Sequence, residues 1–326
     1  MKITRIGFFA LILSLALSLT AAAVPPGEEL LASGRADEAI AALHSHLQAS
    51  PDDAAAFALL LRAYYSLHRW DDAITAGQKA VALQPRNSDY HMWLARAYGE
   101  KAEHSPWFTA LAFARKTRVE FETAVALNGS NVDAREDLAS YYIEAPSFLG
   151  GGNDKAQVQA DQVLALGAEP SALVIRSRIA ESQKNYALAE RELHAAIAAS
   201  NGNPEPMLDL ASFYRRRGRM TEMESTVNQA VQAATLKQHS NALLDAAGLL
   251  YGAGRNFSGA LQMLHSFIAD SSHSPDAPVY EAYYLKGAIL EKLGEKPAAA
   301  EQYRAALSLA SQFEPAQSAL KKIEKN

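Results

Sequence analysis

The chain has 326 residues, 49% hydrophobic and 21% charged, with 36 acidic against 31 basic side chains and no cysteine. That balance is globular, and its net charge of −5 argues against nucleic-acid binding, which needs a basic footprint. Without cysteine there are no disulfides, no thiol catalysis and no lipid-modified cysteine, and the fold is indifferent to an oxidising compartment.

Lys2 and Arg5 precede an uncharged run, Ile6 to Leu19, which ends in the small residues Thr20-Ala21-Ala22-Ala23. This is the pattern of a secretory signal over residues 1–23, with cleavage expected after Ala23 and a periplasmic or secreted destination. Ile6 to Val24 also makes 19 residues (24 − 6 + 1), close to the roughly 20 that span a bilayer; an uncleaved anchor is the alternative. Loss of residues 1–23 removes two basic groups and leaves 29 − 36, or −7.

Val24-Pro25-Pro26-Gly27 reads as a linker, followed by a short helix over Glu28 to Ser33, a turn at Gly34 to Asp37 and a second helix over Glu38 to Ala49. From Ala54 to Leu67, the residues Phe57, Leu60, Leu61, Ala63 and Tyr64 fall at helical spacing; from Trp70 to Leu83, Ala73, Gly77, Ala80 and Leu83 do the same. His68-Arg69 separates the two helices and Pro85 stops the second. A lone helical hairpin cannot bury its own apolar face, so copies must stack beside it. Pro51 to Pro85 and Ala39 to Ala73 are both steps of 34 residues (85 − 51, 73 − 39).

The third copy carries Tyr90, Leu94, Ala95 and Tyr98, and its AVALNG at 124–129 echoes AVALQP at 80–85. The step between those two ends is 44 (129 − 85), ten more than the period. The surplus lies in Glu100 to Arg118 and predicts a lengthened, projecting hairpin, with Ser105 capping a helix that opens at Pro106. In the fourth copy (Leu138, Ala139, Tyr142) extra residues enter between Ile143 and Asp154. Pro146 must end the first helix there, leaving Phe148 and Leu149 on a loop before Gly150-Gly151-Gly152. Four more copies follow, from Ser171, from Pro204, around Tyr251 and around Tyr283. The two longest connectors are expected at Ala234 to Ser240 and at Asp270 to Pro278, and Pro315 to Ile323 reads as a closing helix with a polar outer face.

The first helices share a large residue, a leucine, a small residue and a tyrosine, and Tyr64, Tyr98, Tyr142, Tyr214 and Tyr251 recur in one slot. On these residues the chain resembles the tetratricopeptide repeat family over nearly all of 28–324. Gly77 departs from the family's aromatic, and Met223 and Phe267 from its two alanines. The irregular stretches 114–128 and 144–156 also look like a group of exported bacterial tetratricopeptide proteins, a likeness that carries no activity with it. The resemblance implies an all-α solenoid, a superhelix of about eight antiparallel helix pairs over 24–326 with a C-terminal capping helix. It further implies a non-catalytic protein-protein scaffold, here expected at the bacterial envelope, whose first helices line a concave face. Arg62, Tyr65, Arg96, Glu136, Ser140, Ser212 and Arg216 would point into that face; their mixed charge names no ligand. Trp107, Phe108, Phe148 and Leu149 fall at one edge of the solenoid. They are expected to pack on each other, with Phe148 partly exposed, or else to anchor a protein partner.

Catalytic patterns are missing: no His-Glu-x-x-His, no Gly-x-Ser-x-Gly and no Walker loop. The triple glycine lacks a preceding strand and a following Lys-Ser/Thr, and Ser318-x-x-Lys321 lacks its companion motifs. His44 and His46 point about 200° apart on one helix and are expected to be solvated rather than metal-binding. No cofactor or metal is expected. Arg215, Arg216, Arg217 and Arg219 read as cations at a helix C-terminus in preference to a docking patch for an acidic peptide. Two other functions remain on this reading. One is a membrane-anchored assembly subunit; the other is an envelope-polymer hydrolase that would use Glu136 and Glu144, since acid–base work needs two groups around one bond.

Overall fold

Seventeen α-helices and no strand make up the described residues, 27–270 and 274–325, of the structure, which is a computed structural model. The stretch read as an export signal or anchor lies outside them; within them, no helix is long and apolar enough to cross a membrane. The helices form eight antiparallel pairs: α1 (Glu28–Ala32) with α2 (Ala36–Ala49), α3 (Ala54–Ser66) with α4 (Trp70–Leu83), α5 (Ser88–Glu103) with α6 (Trp107–Leu127) and α7 (Val132–Glu144) with α8 (Asn153–Ala165). They continue with α9 (Glu169–Ser182) and α10 (Tyr186–Ala199), α11 (Glu205–Arg216) and α12 (Met220–Lys237), α13 (Asn241–Ala253) and α14 (Phe257–Ala269), and α15 (Val279–Lys292) and α16 (Lys296–Leu309). The unpaired α17 (Glu314–Glu324) covers the end.

Local chemistry sets the boundaries. Asp53, Asn87 and Asn131 cap α3, α5 and α7, each accepting from backbone N–H groups of the first turn. Reversal inside most pairs, though not between α5 and α6, uses a left-handed residue. Gly34, Gly218 and Gly294 supply it without strain, whereas His68 and Lys184 hold φ of 60° and 61° in the same role.

Packing explains the repeating residues. Ala63, Ala95, Ala139 and Ala211 are wholly buried where first helices cross closely. The tyrosine slot has a polar duty as well: its hydroxyl reaches back to the second helix of the preceding pair. Tyr64 meets His44 at 2.8 Å, Tyr98 accepts from Gln78 at 2.8 Å, Tyr142 donates to Glu122 at 2.9 Å and Tyr214 donates to Glu190 at 2.7 Å. Gly77 stands where the family has an aromatic because its neighbours fill that space. A Cβ there would sit 3.0 Å from Leu94 Cδ1 and 3.2 Å from Leu61 Cδ2.

Two expectations are corrected. Pro106 precedes α6 instead of opening it, and the Ser105 side chain makes no cap. The connector expected at Ala234 to Ser240 is mostly helix: α12 runs through Lys237 because nothing in Ala-Ala-Thr-Leu-Lys breaks it, and the left-handed Gln238 ends it. The connector from Asp270 to Pro278 does separate α14 from α15, with 271–273 outside the described residues.

The ends of the coil meet. Arg62 of α3 donates to Asp276 at 2.8 Å, Arg69 to Gln312, and the Ser311 N–H to Asp37 at 2.8 Å. Ala36, Leu67, Tyr280 and Phe313 share one buried cluster, and the His68 ring stands edge-on to Phe313 at 5.5 Å. At Gly34 a Cβ would lie 3.0 Å from the Val279 nitrogen, so only glycine lets the two chain segments approach there. The solenoid is a ring with a seam between its first two and last pairs. The concave face expected of the superhelix here encloses a lumen.

Candidate functional site: the lumen of the ring

First helices line the lumen, so the residues named for a concave face do share one surface. Around α3 and α5, Tyr65 is wedged edge-on between Trp70 (5.3 Å) and Trp93 (5.6 Å). Its hydroxyl donates to Glu100 at 3.3 Å, and burial raises its pKa far above the usual phenol value. Arg62 and Arg96 lie over the Trp93 ring at 5.0 and 4.6 Å. Arg96 also donates to Asp137 at 2.6 Å, although burial still pushes the Asp137 carboxyl above its ordinary range.

Farther round, Arg178 of α9 donates to Ser140 and, at 2.6 Å, to Glu144. Arg216 of α11 forks onto Glu181 at 3.0 and 2.8 Å and donates to Ser212 at 2.8 Å. Glu136 is pushed up by burial against the pull of Ser171. A cavity of about 420 Å³ here is lined by Glu136, Asp137, Ser140, Arg178, Asp209 and Arg216. The pair imagined for hydrolysis does not converge: Glu144 is tied to Arg178, and Glu136 lies eight residues back on the same helix, roughly 12 Å along its axis.

A second cavity, of about 680 Å³, opens between α11, α13, α15 and α17. Asp209, Asp245 and Glu281 face it, each one repeat further on (245 − 209 = 36, 281 − 245 = 36) over Leu249, Tyr284 and Leu285. Burial pushes Glu281 up to about 8 and Asp209 up to about 6, and raises Asp245 as well. These three carboxylates were missed in the sequence. Their signal was available as one acidic residue in the first helix of three successive repeats.

The projecting edge is not packed as expected. Trp107, Phe108 and Phe148 are 63, 85 and 62% exposed and stack on no other ring among the described residues. The extensions of α5 and α6 rise past their neighbours, so nothing covers Trp107 at the tip. The inserted loop instead rests on α6 and α7 through Leu149, which is buried. The Leu149 carbonyl accepts from Tyr141 at 3.0 Å and Arg118 at 3.3 Å, and this turns Phe148 outward. The triple glycine serves the same loop. At Gly151 a Cβ would fall 1.7 Å from the Ala145 carbonyl oxygen, so the backbone can return onto the end of α7 only without a side chain.

His44 is exposed, as expected, and bonds Tyr64 at 2.8 Å, while the half-buried His46 meets Asp53 at 2.7 Å. Among the described residues no three His, Asp or Glu groups could hold a metal ion together. The arginine run at the end of α11 is engaged too. Besides Arg216, Arg217 lies 3.8 Å over the Tyr186 ring, and Arg219 bonds Glu190 and Glu222.

Tetratricopeptide repeat models match residues 30–97 and 246–313. No curated protein matches the chain. Among solved structures, a thermophilic tetratricopeptide repeat protein from Thermus thermophilus is 22% identical, with a TM-score of 0.48 over 58% of this chain and 96% of that one. A tetratricopeptide repeat protein from Parabacteroides merdae is 18% identical, with a TM-score of 0.42 over 83% of this chain and 98% of that one. The Cut9–Hcn1 hetero-tetramer of the APC/C is 12% identical, with a TM-score of 0.41 over 90% of this chain and 54% of that one.

Proposed function

We propose that this chain, a tetratricopeptide repeat protein, is a non-catalytic scaffold of the bacterial envelope that holds a protein partner inside its ring. Repeats of this kind mediate protein-protein interaction. The observation that supports the lumen as the binding surface is its composition. Along the lumen Glu136, Asp209, Ser212, Asp245 and Glu281 stay within reach of solvent, beside partly exposed apolar groups such as Leu249 and Leu285. An export signal over residues 1–23 supports an envelope address; a retained segment would make the same scaffold a membrane-anchored assembly subunit.

Photocrosslinking tests the binding surface. A crosslinking residue at Ser212, inside the ring, is expected to trap a partner in intact cells, and one at Glu301, on the outer surface, is not. Crosslinks confined to Glu301 or to the tip at Phe108 would move the binding surface away from the lumen. The N-terminus of the protein recovered from the envelope fraction tests the address: Val24 is expected, and an intact Met1 would favour the anchored form.

A further inference from the structure

We infer that the tip of the α5–α6 hairpin docks on a bilayer surface with anionic headgroups. Trp107 and Phe108 enter the interface, and Arg115 and Lys116 meet the phosphates. The inference concerns the outer rim and does not rest on the lumen reading.

The projection can be measured against the preceding pair. AVAL at 80–83 of α4 recurs at 124–127 of α6, a step of 44 (124 − 80). On that step Trp70, where α4 opens, corresponds to Ala114 (70 + 44), so Trp107 to Phe113 is added helix. Seven residues at about 1.5 Å each carry the tip roughly 10 Å past the rim. At its end Trp107 is 63% and Phe108 85% exposed. Apolar groups that lie in a membrane interface sit about 5–10 Å into the headgroup–acyl boundary, and the projection is long enough to reach that depth.

Charge reverses in the same pair. At rim level α2 carries Asp37-Glu38 and α4 carries Asp71-Asp72, whereas α6 carries Arg115-Lys116 (71 + 44 = 115). Both cations are exposed, and neither makes an ion pair among the described residues; Lys116 lies over the Tyr98 and Phe113 rings. Phe108, Ala112, Arg115 and Val119 are all exposed at i, i+4, i+7 and i+11, which makes them one outward stripe. No acidic residue occurs from His104 to Val119. The acid of the projecting part is Glu103, at the end of α5. Counting it, residues 101–119 hold four basic groups against one, or +3 (4 − 1), in a chain of −5. Two of the four are engaged: Lys101 is held by Asp71 at 2.7 Å, and Arg118 donates to the Leu149 carbonyl. Arg115 and Lys116 are left for a ligand.

The spacing fits a bilayer. Arg115 lies seven residues, roughly 10 Å, behind Phe108 along α6. With the two aromatics at the acyl boundary, where such rings are favoured, the cations stand at the level of the phosphates, and an anionic surface attracts them. A folded partner would have to supply a pocket shaped to a convex prong, whereas a fluid interface takes it as it stands.

Tryptophan emission of the whole protein tests this, with vesicles of equal parts phosphatidylglycerol and phosphatidylcholine. A blue shift is expected, together with quenching by lipids brominated on their tails. Trp107→Phe should still float with the vesicles but lose the shift, because Trp70 and Trp93 are packed on Tyr65. Phe108→Ser should weaken binding about tenfold or more. Arg115→Gln combined with Lys116→Gln should weaken it about 30-fold, and pure phosphatidylcholine should bind as weakly as that variant. Leu236→Ser is the control: Leu236 is as exposed as Phe108 but lies where α12 ends, on the opposite rim, and its loss should change nothing. All these positions are exposed, so melting curves should stay unchanged. No shift with anionic vesicles, a shift that survives Trp107→Phe, equal binding to pure phosphatidylcholine, or an equal loss from Leu236→Ser would overturn the proposal. A crosslinker at Phe108 that traps a protein in intact cells, while vesicles leave Trp107 unchanged, would assign the tip to a protein partner instead. Crosslinks at Ser212 are independent of every one of these results, so the lumen and the tip stand or fall separately.

Discussion

Closure of the ring makes a demand that no linear stack of repeats makes: residues at its two ends must be energetically coupled. Phe313 is 2% exposed, with ring centroids 5.1 Å from Tyr280 and 5.5 Å from both Tyr284 and His68. Phe313→Ala should destabilise by about 3–5 kcal/mol, the range for a buried aromatic. Most of that loss belongs to α15. The part that crosses the seam is the edge-on contact with His68, worth about 0.5–1.5 kcal/mol beyond area burial. A double-mutant cycle isolates it. Wild type, His68→Ala, Phe313→Ala and the double variant are unfolded in urea under far-ultraviolet circular dichroism. The strain of alanine at φ 60° enters both arms that carry it and cancels. In an open stack these residues would sit six pairs apart, and independent sites add within about 0.3–0.5 kcal/mol. A closed ring predicts a coupling of about 0.5–1.5 kcal/mol; additivity would refute closure.

Other perturbations separate core, edge and lumen. Leu94→Ala should cost about 2–5 kcal/mol in thermal or urea melts, and Gly77→Ala should be better tolerated in that background, because the Cδ1 atom it meets is gone. Trp107→Ala should shift stability by no more than about 0.5 kcal/mol, as exposed substitutions do, whereas Leu149→Ala should cost about 2–5 kcal/mol; equal effects would mean that the tip is packed after all. Glu281 has a folded-state value of about 8 against about 4.3 when unfolded, so the folded chain holds this proton longer. Its carboxyl is therefore neutral and harmless below about pH 4 and destabilises progressively as pH rises to about 8. Glu281→Gln should flatten that decline, and melts from about pH 5 to about pH 9 read it.

The repeats were legible because their causes are local. A period near 34, alanine at the crossings and tyrosine in one slot follow from how one helix pair meets the next, and each cause lies within two repeats. Pro146 and the glycines marked the end of α7 for the same reason. The wrong expectations concern relations between distant or exposed groups. Trp107 looked like core because aromatics usually are, and only the height of α5 and α6 over their neighbours shows otherwise. His44 is exposed as expected, but its partner, Tyr64, lies 20 residues on and was not foreseen. The seam joins residues more than 200 positions apart, and it depends on small rotations added over eight pairs, which no pattern of residue types encodes.

Closure also changes what the acidic residues mean. On an open groove Asp209, Asp245 and Glu281 would be three solvated charges of little consequence. Inside a ring they share a confined space, where burial raises all three and Asp245 raises Glu281 further. Their mutual repulsion works against the same seam that creates the confinement. At high pH the ring carries that repulsion in full, and it fades as the carboxyls take up protons. At low pH a second cost appears at the seam itself. His68, held below its ordinary value by burial and by His104, must be charged against Phe313 and Trp70 as pH falls below about 6.5. The carboxylate cost, measured against the unfolded chain, accrues from about pH 4 to about pH 8, and the His68 cost sets in below about pH 6.5, so the two overlap in the mildly acidic range. The His68–Phe313 coupling should weaken as pH falls below about 6.5, and a coupling unchanged from about pH 8 to about pH 5 would show that the His68 titration does not reach the seam.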